Sequence, residues 1–136
     1  MKRSLLALLA LCVISSTSFA QTYTYGYWLY TVYSENGTDV AKLVGVTDLG
    51  VEALRYTPVG FEVEADFNGY PLRTIGEGAF RRLAGLNIWD EIDFNGVTKV
   101  EADAFNGVYV KNLRFFSDTL IIEGYAFRDC TRLETI

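Results

Sequence analysis

From residue 72 onward the apolar positions recur in a motif of constant shape. Ile75-Gly76-Glu77-Gly78-Ala79-Phe80, Val100-Glu101-Ala102-Asp103-Ala104-Phe105 and Ile122-Glu123-Gly124-Tyr125-Ala126-Phe127 each begin on a branched apolar residue. Each then passes through three residues, mostly small or acidic, to end in Ala-Phe. The phenylalanines are 25 and 22 residues apart. A period in this range marks a stack of coils in which no single unit can bury its own apolar face. Short strands are predicted ahead of each Ala-Phe, at Leu72 to Ile75, Val97 to Val100 and Leu120 to Ile122. Leu86-Asn87-Ile88 and Leu113-Arg114-Phe115 alternate apolar and polar, which predicts a second strand per interval. The acidic or glycine residues before Ala-Phe suit a single helical turn. The alanine is small enough for coils to approach, and the phenylalanine fills the space between them. The predicted core is therefore Ile75, Ala79, Phe80, Val100, Ala104, Phe105, Ile122, Ala126 and Phe127, with Cys130 and Leu133 behind the last unit.

Residues 21–71 follow a different, β-rich and aromatic pattern. Tyr27 to Tyr33 and Thr38 to Val46 flank Asn36-Gly37, a strong signal for a tight hairpin turn. Leu54 to Phe67 reads as one or two strands interrupted at Pro58 and Gly60, and Asn68-Gly69 turns the chain into Leu72. A hairpin placed there would cap the apolar end of the first coil.

The repeat resembles the BspA-type leucine-rich repeat, a cysteine-containing variant found in bacterial (Treponema- and Bacteroides-like) and protist surface proteins. The unit of that family is similar to Ile-Gly-x-x-Ala-Phe-x-x-Cys-x-x-Leu-x-x-Ile. Ile122 through Ile136 fits it, with Ala126-Phe127, Cys130, Leu133 and Ile136 in register. The two earlier units depart from it, carrying Leu83 and Val108 where Cys is expected. The resemblance covers residues 72–136, about two and a half units. It implies a mainly β fold, a short leucine-rich-repeat solenoid with an N-terminal β-hairpin cap. It also implies adhesion or protein–protein interaction at a cell surface. The chain stops at Ile136, where another strand should begin, so a fragment of a longer repeat protein is expected.

Residues 1–20 have the three parts of a secretory signal peptide. Lys2 and Arg3 precede the apolar run Leu5 to Ile14, and Ser18-Phe19-Ala20 suits cleavage before Gln21. That run is too short for a transmembrane helix, which needs about 20 apolar residues. Cys12 lies inside the run and after Leu11, the wrong context for a lipidated N-terminus. Without residues 1–20 the net charge moves from −5 to −7, so nucleic acid and anionic membrane are poor partners. No second long apolar segment follows. The expected location is secreted, periplasmic or at the cell surface.

The chain contains no histidine, which excludes His-based triads and His-containing zinc sites. Cys130 reads as a small apolar core residue and not as a nucleophile. Gly76-x-Gly78 lacks the context of a phosphate loop. Two acidic clusters, Glu62/Glu64/Asp66 and Asp90/Glu91/Asp93, offer oxygen ligands but match no calcium-loop spacing, and exposed strands carry such charges routinely. Asn36-Gly37-Thr38 is a glycosylation sequon, relevant in a eukaryotic source. No catalytic residue, cofactor or metal is expected. A macromolecular partner is, either a protein (host or matrix) or a glycan. The alternative to a protein binder is a carbohydrate-binding module using the aromatic hairpin, with Trp28 and Tyr30 as ligand-stacking residues.

Overall fold

The computed structural model describes residues 21–57 and 59–136. The signal-peptide reading of residues 1–20, with Cys12, and the interruption at Pro58 fall outside them. The chain is mainly β. Its strands are β1 (Tyr23–Tyr25), β2 (Trp28–Glu35), β3 (Thr38–Val46), β4 (Gly60–Val63), β5 (Asp66–Phe67), β6 (Tyr70–Ile75), β7 (Ile88–Phe94), β8 (Lys99–Val100), β9 (Tyr109–Arg114) and β10 (Ile121–Ile122). A single short helix, α1 (Asp48–Leu54), and a 3₁₀ turn at Arg81–Leu83 complete the elements described.

These strands form two sheets. In the first the order is β1-β2-β3-β6-β8-β10, with β5 paired to β6 beside that path. The β1/β2 and β2/β3 pairs are antiparallel, whereas β3/β6, β6/β8 and β8/β10 are parallel. The second sheet, β4-β7-β9, is wholly parallel and is extended by a bridge from Asn112 to Thr135. Chain passages alternate between the sheets, so apolar side chains from both meet in one interior.

Register explains the motif. Leu43, Ile75, Val100 and Ile122 pair in succession across β3, β6, β8 and β10. The amide after each of the last three donates to the carbonyl of its predecessor: Gly76 to Leu43 at 2.7 Å, Glu101 to Ile75 at 2.9 Å and Glu123 to Val100 at 2.9 Å. Three residues past the branched position the backbone enters the left-handed region, at Gly78 (φ +64°), Asp103 (+57°) and Tyr125 (+65°). Only glycine adopts that conformation without strain, although aspartate tolerates it better than tyrosine.

Several expected boundaries move. The β2–β3 hairpin turns at Asn36-Gly37, but β3 also pairs with β6, and β4 with β7. The region expected as a cap thus supplies the first passage of the parallel stack, and among the described residues only β1 and β2 lie ahead of it. Leu54 does not start a strand; it ends α1, which Thr47 caps by accepting the Gly50 N–H at 3.0 Å. The strand expected from Leu86 starts at Ile88, because Leu86 still belongs to the preceding turn, its N–H donating to the Leu83 carbonyl at 3.2 Å. Likewise β9 begins at Tyr109, four residues before the expected Leu113.

Candidate functional site

Side chains of the repeat motif line the interior. Ile75, Ala79, Phe80, Val100, Ala104, Phe105 and Ala126 are buried. The phenylalanines form a column, with Phe80 and Phe105 stacked at 4.9 Å and Phe105 and Phe127 at 5.5 Å. The last unit departs from the expected core. Ile122 is 44% exposed, and Phe127, Cys130 and Leu133 are only partly buried. Their equivalents are sealed by passages on both sides, whereas these have a neighbour on one side only. Cys130 Sγ–H donates to the Phe105 carbonyl at 2.9 Å, and partial burial pushes its thiol pKa above the ordinary value.

The two aromatics expected to stack on a ligand do not face solvent. Trp28 is 2% and Tyr30 1% exposed. Trp28 packs edge-on to Phe80 at 5.9 Å and closes the N-terminal end of the phenylalanine column. Its indole N–H donates to Glu64 Oε1 at 2.9 Å, and the Tyr30 hydroxyl accepts from Asn68 Nδ2 at 2.7 Å. Strand alternation sends both residues to the same face, and that face is the core.

On the outward face of the first sheet the side chains fall into rows. Thr31, Lys42, Thr74, Lys99 and Ile121 follow one another in register over β2, β3, β6, β8 and β10. With strands about 4.8 Å apart, this row is roughly 19 Å long. Beyond it lies an acidic row. Glu101 Oε2 meets Lys42 Nζ at 3.0 Å while Oε1 accepts the Glu77 N–H at 3.1 Å. One coil on, Glu123 repeats the arrangement with Lys99 at 3.3 Å and the Ala102 N–H at 3.2 Å. Each glutamate thus ties a turn amide of the preceding coil to a lysine, which lies one passage back for Glu123 and two passages back, on β3, for Glu101. Tyr33 leans across β3, and its hydroxyl meets Thr74 Oγ1 at 2.7 Å. The result is an open furrow of about 490 Å³, bounded by Thr31, Val32 and Tyr33 on one side and Thr98, Lys99 and Thr119 on the other. Thr74, only 3% exposed, forms its floor.

The second sheet carries Glu62 and the Asp90/Glu91/Asp93 cluster outward, where other groups claim them, whereas Glu64 follows β4 and Asp66 lies on β5. Glu62, Asp93 and Arg114 are in register on β4, β7 and β9. Arg114 binds Asp93 through both carboxylate oxygens, at 3.0 and 2.8 Å, and Glu91 at 2.8 Å. The Asp93 hydrogen bond is the main cause of a raised Arg114 pKa. Asn95 donates to Glu62 at 2.6 Å, and Lys111 lies 3.5 Å from Asp90. This is a charge ladder across exposed strands, in which solvent screening keeps each pair weak.

Sequence reasoning did not single out Lys42, Thr74, Lys99, Glu101 or Glu123. A signal for two of them was present, since Glu directly follows the branched residue in two of the three units. The role of Thr31 and Tyr33 had none, because it depends on which strand curls over the stack.

No protein-family profile matches the chain, and no curated protein does. Among solved structures it is similar to a leucine-rich cell surface protein from Faecalibacterium prausnitzii, with a TM-score of 0.66 and 20% sequence identity. The match covers 90% of this chain and 31% of that one, so this chain spans about a third of that protein's length. At such identity the likeness is one of fold alone. No helix among the described residues is long and apolar enough to cross a membrane.

Proposed function

We propose that this protein is an exported, non-enzymatic binding scaffold, a short leucine-rich-repeat solenoid of BspA type that engages a macromolecular partner at or beyond the cell surface. The observation that carries this reading is the parallel stack itself. It arranges outward side chains in rows at strand spacing while their backbones and the apolar column hold them in place. Such a surface makes many weak contacts and suits adhesion or protein–protein interaction. The likeness to a cell surface protein and the leader-like first 20 residues agree with export. The carbohydrate alternative, as first framed on Trp28 and Tyr30, loses its two carriers, which are spent on the core.

Stable protein interfaces bury about 1,200–2,000 Å² in total, which so few coils supply only in part. The isolated chain is therefore expected to bind weakly, at about micromolar affinity, and more tightly when displayed in several copies. Surface plasmon resonance against immobilised extracellular-matrix proteins, comparing monomeric and bead-displayed protein, tests this. Turnover of a chromogenic glycoside that disappears in Asp90→Asn or Asp93→Asn would overturn the non-enzymatic reading.

A further inference from the structure

The furrow on the first sheet has a lining that selects among ligand chemistries, and we infer that it is a binding site for a short segment of a neutral oligosaccharide. The inference rests on the scaffold reading and names the ligand class for one of its faces. Three observations carry it.

The first is the balance of charge. Lys42 and Lys99 are set against Glu35 and Glu101 in the lining, and each lysine already faces a glutamate within 3.3 Å. A phosphorylated or sulfated ligand would have to break those pairs, and a cationic one would meet the ammonium groups. A neutral polar ligand does neither.

The second is the hydrogen-bonding inventory. Thr31, Thr74, Thr98 and Thr119 bring four hydroxyls to the furrow, and Tyr33 brings a fifth. Among the described residues the Thr31 and Thr119 hydroxyls are free to donate and accept. Thr98 gives its proton to the Arg73 carbonyl and still accepts, while Tyr33 and Thr74 share one bond and keep one proton between them. Each lysine–glutamate pair sets a donor beside an acceptor. Neighbouring hydroxyls on a sugar ring present the same dual character at similar spacing. Ile121, 63% exposed, adds apolar surface for the ring's C–H face. A volume of about 490 Å³ lies within the range of about 300–1,000 Å³ typical of small-ligand sites.

The third observation removes the commonest peptide mode from the furrow's floor and leaves it only at the two rims, Thr31 to Glu35 of β2 and the outer side of β10. An extended peptide gains affinity by adding a strand to a free sheet edge. The furrow's floor is β6 between β3 and β8, hydrogen-bonded on both sides, so it has no edge to offer.

The test uses the mature chain, isotope-labelled for amide NMR and titrated with cellohexaose, laminarihexaose, maltohexaose and xylohexaose, and with dextran sulfate as the anionic control. At least one neutral hexasaccharide should give saturable shifts at Thr31, Thr74 and Lys99, with affinity of about millimolar or better. Thr31→Val and Lys99→Met, both at partly exposed positions, should each weaken it about tenfold at an unchanged urea midpoint. Thr74→Val should do the same and serves as a further check, although its burial risks the fold. The inference fails if no neutral hexasaccharide shifts furrow residues, if dextran sulfate alone binds, or if none of the variants weakens binding. Matrix-protein binding measured in parallel separates the two readings. If it persists without saccharide binding, the sugar assignment falls and the scaffold stands; if both are absent, both fall.

Discussion

Replacing Phe105 by alanine is the sharpest probe of how the stack is held together. The ring is fully buried, with Phe80 on one side at 4.9 Å and an interplanar angle of 19°, and Phe127 on the other at 5.5 Å and 20°. Phe94 and Phe115 meet it edge-on at 5.8 and 6.4 Å. Truncating a buried phenylalanine typically costs about 3–5 kcal/mol, combining lost transfer energy with the cavity left behind. A well-placed aromatic contact adds about 0.5–1.5 kcal/mol, and Phe105 has one on every side, so its loss belongs at the upper end of that range. Phe127 stacks on Phe105 alone and keeps part of its surface in water, so Phe127→Ala should cost about half as much. Against a total domain stability of about 5–15 kcal/mol, the first change is severe and the second tolerable. Urea unfolding of the mature chain, followed by tryptophan fluorescence from Trp28 and Trp89, gives both values. Equal costs for Phe105→Ala and Phe127→Ala, or midpoints near wild type for both, would refute the one-sided packing of the last unit.

Gly60→Ala should be more damaging than its exposure suggests. Gly60 has φ +134°, and an added Cβ would lie 2.0 Å from the Glu91 carbonyl oxygen, so β4 would have to shift against β7. A loss of about 3 kcal/mol is expected in the same urea assay, and a change below about 1 kcal/mol would contradict the close approach. Cys130 should be alkylated slowly at neutral pH, with a rate midpoint above that of an unfolded thiol. Because its folded pKa is raised, the folded state holds the proton longer. Its contribution to stability is therefore complete below the unfolded thiol pKa and is lost as pH rises through the folded one. Iodoacetamide labelling across pH, native against urea-unfolded, reads this directly; identical profiles would place the thiol in open water. Finally, intact-mass analysis of the exported protein should find its N-terminus at Gln21, whereas a mature chain retaining Met1 would rule out the leader.

Much of the fold could be read from one dimension because its logic is local and repeated. The Ala-Phe motif recurs because each coil presents the same cavity to the next, and the hairpin at Asn36-Gly37 is a turn signal of two residues. The reading failed where a residue's role depends on its partners. Nothing in the composition of β3 says that it pairs in parallel with β6 thirty residues away, and the cap therefore reads as separate from the stack it begins. The seven residues of α1 are too few to show a helical period.

The amino-acid sequence by itself determined the period of the repeat, the branched and aromatic residues facing inward, the acidic balance and the absence of histidine chemistry. Those properties depend on residue type and short-range spacing alone. Only the tertiary structure decided the fate of the aromatics. Trp28 and Tyr30 alternate in sequence like ligand-binding tyrosines, yet the pleat turns them to the core while Tyr33, on the same strand, reaches across β3 to Thr74. Only it could place Lys42 beside Glu101, 59 residues on, or assemble a hydroxyl-lined furrow from five separate strands. Side-chain spacing along a chain is set by covalent geometry, but a surface is set by which passages stack, and that is settled by burial summed over the whole molecule.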